Sequence, residues 1–244
     1  MFVLTIIRAK DSEEAGILAA AQIAEQIRNE PDSVLGLATG STPLGIYQEL
    51  VRQHNCDQLD FSGIKTVNLD EYVGLDSSHP QSYAYYMHQN LFSQVNIHPD
   101  NVHLPMGTAQ DTEAQCADYD ALIEGLATID LQLVGIGHNG HIGFNEPADA
   151  FTKGTHCVNL APSTIQANSR FFTSADEVPT KAYTMGIKTI MNAKKVIMLV
   201  LGKEKAKILK AAMTGPITPR VPASVLQLHP DFTLVADADA LSEF

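Results

Sequence analysis

Cysteine is scarce in this chain. Only Cys56, Cys116 and Cys157 occur among 244 residues, and no two are spaced as CxxC. That excludes a disulfide framework and a thiolate metal site, and fits a reducing compartment. Basic residues are also few: 16 Lys and Arg stand against 28 Asp and Glu, a formal charge of −12. An acidic excess of this size argues against a nucleic-acid binder or an anionic-membrane binder. Long apolar runs are missing too. The opening Met1-Phe-Val-Leu-Thr-Ile-Ile-Arg8 is too short to span a bilayer. It has neither the basic start nor the small-residue cleavage site of a signal peptide, so a soluble, cytoplasmic protein is expected.

What is present is apolar enough to fold. Hydrophobic residues make up 45% of the chain and charged residues 18%, which excludes disorder. Strand-like and helix-like segments alternate. Phe2 to Ile7, Ser33 to Ala38, Lys65 to Leu69, Leu131 to Ile136, Val196 to Leu201 and Phe232 to Ala236 read as strands. Asp11 to Asn29 reads as a helix with Ile17, Ala20, Ala24 and Ile27 on one face. Further helices are expected over Pro43 to Gln53, Gln81 to Phe92, Thr112 to Leu126 and Lys203 to Met213. The strands are continuous apolar runs, as expected when both faces are covered. The pattern predicts one α/β domain over 1–244, a doubly wound, mostly parallel sheet flanked by helices. Ligands of such sheets sit at the carboxyl ends of strands, so the loops there carry the functional argument.

Five loops stand out. Ala38-Thr-Gly-Ser-Thr-Pro43 joins a strand to a helix. Thr42 is the expected N-cap, Pro43 the first helical residue, and Gly40 the turn. Free N–H groups, two hydroxyls and the helix dipole could form an anion seat, although no Gly-Lys-Ser/Thr follows as in a Walker loop; an ordinary strand–helix turn is the alternative. Asn68-Leu-Asp-Glu-Tyr72 ends a strand, and its adjacent Asp70 and Glu71 face opposite ways. One is expected in the sheet crevice and the other in solvent; a wholly solvated acidic turn is the bland alternative.

Gly135-Ile-Gly-His-Asn-Gly-His-Ile-Gly-Phe-Asn-Glu-Pro147 is the densest constellation. It contains GxGxxG, yet in mid-chain, and Gly143 and Pro147 deny it the helix that a dinucleotide fingerprint needs. His138 and His141 have only Glu146 as a nearby third ligand, which makes zinc a weak reading. Acid/base work fits better, with an imidazole titrating near neutrality and a carboxylate to orient it. Arg170, in Asn168-Ser-Arg-Phe-Phe172, could fork onto a phosphate or make a surface ion pair. The run Gly202-Lys-Glu-Lys-Ala206 puts lysines where a helix dipole disfavours them, a conflict that a bound anion would relieve. The alternative is that Lys203, Lys205, Lys207 and Lys210 form a wet helix face.

Together with Ser82-Tyr83, Thr184-Met-Gly-Ile187 and Leu226-Gln-Leu-His229, these segments resemble the glucosamine-6-phosphate deaminase family. They match in order over nearly the whole chain. Gly-His-Ile-Gly-Phe-Asn-Glu-Pro is the most specific match, whereas Gly-Ser-Thr-Pro is shared with 6-phosphogluconolactonases. The resemblance implies a Rossmann-like sugar-phosphate isomerase fold. It implies conversion of glucosamine 6-phosphate and water to fructose 6-phosphate and ammonia, without cofactor or metal. Asp70 matches the base that moves the C2 proton. His141 matches the ring-opening group, with Glu146 and Asn139 as its relay. Gly40, Ser41, Thr42, Arg170 and Lys205 match the phosphate site, and about 148–179 a mobile lid. Many members carry Asp at the position of Asn139, so orientation rather than proton transfer is expected of it. The basic effector-binding residues of allosteric members correspond to His156 and Val158. The resemblance therefore points to the shorter, non-allosteric members, as monomer or small homo-oligomer, with a sugar phosphate as the only partner. A lactonase and a non-catalytic sugar-phosphate sensor are the alternatives.

Overall fold

The computed structural model describes residues 3–169, 172, 174 and 177–244. The first strand, β1 (Val3–Ala9), leads into helix α1 (Ser12–Asn29), where the Asp11 side chain caps the N–H of Glu14. The buried face of α1 is built mainly on alanine: Ala15, Ala19, Ala20 and Ala24, with Ile23 and Ile27. Ile17, expected on that face, is 44% exposed. The stripe follows the small residues instead, because α2 (Leu44–Asp57) packs closely on α1, with Gly16 against Gly45.

Strand β2 (Val34–Leu37) precedes α2, followed by β3 (Lys65–Asn68), β4 (Asp70–Tyr72), α3 (Tyr83–Asn90), the short β5 (Val102–His103) and α4 (Thr112–Gly125). The second half supplies β6 (Leu131–Val134), β7 (His156–Asn159), α5 (Pro162–Asn168), β8 (Lys181–Thr184), α6 (Ile187–Met191), β9 (Lys195–Val200), α7 (Ala206–Thr214) and β10 (Asp231–Asp237). The helix expected from Lys203 opens as a 3-10 turn, Lys203–Lys205, before α7. No described helix is long and apolar enough to cross a membrane.

Seven strands form one sheet in the order β1-β10-β9-β6-β2-β3-β5, every neighbouring pair parallel. The central strands β2 and β6 are buried throughout, as their apolar runs predict. From β2 the chain builds outward to β3 and β5, then returns to β6 and builds the other way. The loops after β2 and β6 diverge at this reversal and open a crevice at the strands' carboxyl ends.

A second, antiparallel sheet, β4-β8-β7, was not foreseen. It hangs from the end of β3 and pairs Asp70 with Thr184 and Glu71 with Tyr183. Its own apolar cluster contains Tyr72, Phe144, Leu160 and Ala182. This sheet turns the expected acidic turn into a buried strand: Asp70 is 6% exposed and Glu71 only 2%. Asp70 faces the crevice, as expected of one of the pair, but Glu71 is buried rather than in solvent.

Candidate active site

The crevice is a cavity of about 820 Å³. The loop after β2 forms one wall. Gly40 adopts φ +106°, the region that favours glycine. Tyr47 and Tyr86 fix this loop by donating to the carbonyls of Ala38 (2.5 Å) and Gly40 (2.7 Å). Gly40, Ser41 and Thr42 all line the cavity. Helix α2 starts one residue later than expected. Pro43 rather than Thr42 occupies the cap, and no side chain caps the helix. Thr42 thus has its hydroxyl outside the cap, and with Pro43 it brings the start of α2 to the cavity. Across from this loop, Lys205 lines the cavity and donates to the Ile136 carbonyl at 2.9 Å. Arg170 lies outside the described residues.

The loop after β6 carries the acid/base groups. Two backbone bonds close its turn, Gly137 N–H to His141 O (2.9 Å) and Gly140 N–H to Gly137 O (3.0 Å). Asn145 fixes the far end by donating to the carbonyls of Ile142 and Met185. Within this frame Glu146 is shared. Its Oε2 accepts from Asn139 Nδ2 at 2.5 Å and lies 3.4 Å from His141 Nδ1. Its Oε1 accepts from Thr164 of α5 at 2.6 Å. Burial alone would raise this carboxyl, but His141, Thr164 and Asn139 together hold it down at about 2. Glu146 is therefore a fixed anion beside the imidazole. Asn139 also accepts the backbone N–H of His141 through Oδ1 (3.2 Å), an orienting role. No group of His, Cys, Asp and Glu among the described residues could hold a metal ion.

Asp70 enters from β4. Desolvation first, then the charge of Glu71, push its carboxyl up to about 8, partly offset by a hydrogen bond from Thr39. A carboxylate this basic can take a proton from carbon more readily than an exposed one. The loop after β6 approaches β4 at Gly143, at φ +56°. A side chain there would press on Thr184 Oγ1 and approach Asp70 Oδ2. Tyr83 and Phe144 stack at 6.1 Å and give the cavity an apolar face.

Asp70, Asn139, His141, Gly40, Ser41, Thr42 and Lys205 therefore share one cavity, and Glu146 joins them through His141 and Asn139. Thr39 and Thr164 were not singled out from the sequence. Thr39 lies inside a quoted motif, while Thr164 gives no local signal beyond its place after Pro162.

A family model described as glucosamine-6-phosphate isomerases/6-phosphogluconolactonase matches residues 10–234. A glucosamine-6-phosphate deaminase of Lachnoclostridium phytofermentans is 56% identical over 232 residues, covering 95% of this chain and 98% of the relative. One of Clostridium perfringens is 51% identical over 237 residues, with 97% and 98% covered. A solved structure of a monomeric glucosamine-6-phosphate deaminase superposes with a TM-score of 0.96 at 45% identity, covering 98% of this chain and all of the other. A 6-phosphogluconolactonase from Trypanosoma brucei, at 18% identity and TM-score 0.76 with both chains fully covered, shares the fold.

Proposed function

The chain belongs to the glucosamine-6-phosphate isomerase and 6-phosphogluconolactonase family, and within it we propose that the chain acts as a glucosamine-6-phosphate deaminase. The observation that carries this reading is the pairing, in one cavity, of a buried basic carboxylate with a separate imidazole–carboxylate relay. A lactonase needs a group to activate water but no base above C2, so Asp70 would be idle in it.

The phosphate docks at Ser41, Thr42 and the start of α2, neutralised by Lys205 and by Arg170. His141 takes the proton of the anomeric hydroxyl and returns one to the ring oxygen, so the C1–O5 bond breaks. The Glu146 anion supports the imidazolium that forms in between, and Asn139 keeps both in register. Asp70 then removes the C2 proton while the carbonyl oxygen at C1 takes one from the substrate's own ammonium group, giving an enolamine, and Asp70 delivers its proton to C1. Water adds at C2 of the resulting imine and ammonia leaves, yielding the ketose. Helix α5, within the expected lid over about 148–179, carries Ser163 and Thr164 at the cavity edge and would exclude bulk water from the enolamine.

We further propose a cytoplasmic monomer, a single domain over 1–244, that an acetylated sugar phosphate does not activate. His156 and Val158 offer no basic pair at the corresponding positions. The deciding assay is ammonia release from glucosamine 6-phosphate, with glucosamine and 6-phosphogluconolactone as comparison substrates. Turnover of the lactone alone would overturn the reading. A rate that rises sharply with N-acetylglucosamine 6-phosphate at subsaturating substrate would overturn the absence of activation.

A further inference from the structure

Glu71 does not touch the cavity, yet its surroundings are those of a working anion. Its Oε1 accepts the N–H groups of Tyr72 (2.8 Å) and Tyr83 (2.9 Å), and its Oε2 accepts that of Ala84 (2.9 Å). Tyr83 and Ala84 open α3, and Ser82 caps the next N–H, that of Tyr85, at 3.1 Å. The first three donors of the helix are thus taken by two side chains, one of them twelve residues away. Three converging N–H groups and a helix N-terminus suit a carboxylate. A glutamine would turn an NH2 group towards one of these donors.

This arrangement ties two parts of the cavity together. The strand that holds Glu71 also holds Asp70, on the opposite face. The helix that Glu71 grips begins with Tyr83, whose ring lines the cavity and stacks on Phe144. Resting on the deaminase reading above, we propose that Glu71 is a positioning residue for proton transfer at C2. One buried carboxylate fastens the strand carrying Asp70 to the helix carrying Tyr83, and sets its charge beside the base.

The groups facing Asp70 are few. Thr39 comes from the loop after β2, Tyr47 from α2, Tyr83 from α3, Tyr119 from α4 and Thr184 from β8. Burial keeps these tyrosines neutral near pH 7. Burial also raises Glu71 above the usual carboxylate range, offset in part by the N–H groups of Tyr83, Ala84 and Tyr72, and once ionised it is the charge that acts on the base. Its repulsion opposes ionisation of Asp70. Removing that charge makes Asp70 ionise at lower pH and weakens it as a base.

The test is the pH dependence of kcat/KM on glucosamine 6-phosphate for the full chain and for Glu71→Gln and Glu71→Asp. Wild type should gain activity as pH rises through about 8. Glu71→Gln should move that limb down by about one unit and lower the plateau kcat about tenfold, with KM changed less. Glu71→Asp keeps the charge but shortens the reach. It should leave the limb in place and lower kcat. A folded Glu71→Gln protein with wild-type limb and kcat overturns the inference. If Glu71→Gln does not fold, Glu71→Asp decides: a lowered kcat on an unmoved limb supports the inference, and a moved limb or unchanged kcat overturns it. Wild-type protein that releases no ammonia overturns the deaminase reading, and this inference falls with it.

Discussion

The imidazole of His141 lies directly over the α-carbon of Gly137, in the space where any side chain would begin. A Cβ on Gly137 would fall inside van der Waals contact of Nε2, Cε1 and Cδ2 at once. Gly137 therefore sets the ring's position by having nothing there. Gly137→Ala must push the ring aside, and displacement of a reacting group by about 1 Å can cost ~100-fold in rate. Steady-state kinetics should show a kcat loss of that order with KM little changed. A variant within twofold of wild type would mean that the ring's present position is not the working one.

Asp70→Asn should abolish turnover while an acyclic amino-sugar alcohol phosphate still binds, as calorimetry can measure. Retained turnover would dismiss Asp70 as the base.

The same substitution has a stability consequence. The Asp70 pKa is raised in the fold, to about 8, above the ~3.9 of an unfolded chain. Its favourable contribution is therefore complete below about pH 4 and is lost as pH rises through about 8. Asparagine never ionises. Melting curves of Asp70→Asn and wild type should diverge between about pH 4 and 8, with the variant increasingly the more stable, and the gap should level off above that. Parallel curves would contradict the raised pKa.

His141→Gln should slow ring opening in particular. Its loss should be large on the cyclic sugar phosphate and small on a substrate supplied already open. Equal losses on both would assign His141 to a later step.

Lys205→Met should raise KM roughly 10- to 100-fold, the range expected for one charge-assisted bond to phosphate. Unphosphorylated glucosamine, which lacks the dianion, should be handled equally poorly by both proteins. An unchanged KM would remove Lys205 from the phosphate site.

Much of the fold was legible because the parallel sheet writes itself as apolar runs. Val34–Leu37 and Leu131–Val134 could hardly be anything but buried strands. The small sheet was illegible for the converse reason. Asp70–Tyr72 is three residues long with two acids, and its stability comes from pairing with Lys181–Thr184 more than a hundred residues later. Glu71 was misjudged on the same ground: nothing beside it announces the two N–H donors of α3. The motif loops delivered Asp70, Asn139, His141, Glu146 and Lys205. Thr164 escaped because a lone Thr on a short helix resembles any capping residue until Glu146 is seen beneath it.

The edge of the large sheet carries a lesson about time. Among the described residues, Val3–Ala9 pairs only with Asp231–Asp237, which itself lies against Lys195–Val200. Strand β1 thus waits for β10, more than two hundred residues later. During synthesis at about 5–20 residues per second, it is without its partner for on the order of ten seconds or more. Long-range parallel pairing of this kind is slow to close and leaves an apolar segment open to misassembly meanwhile. Refolding should accordingly end with the docking of β1 on β10, after the crevice between β2 and β6 has taken shape.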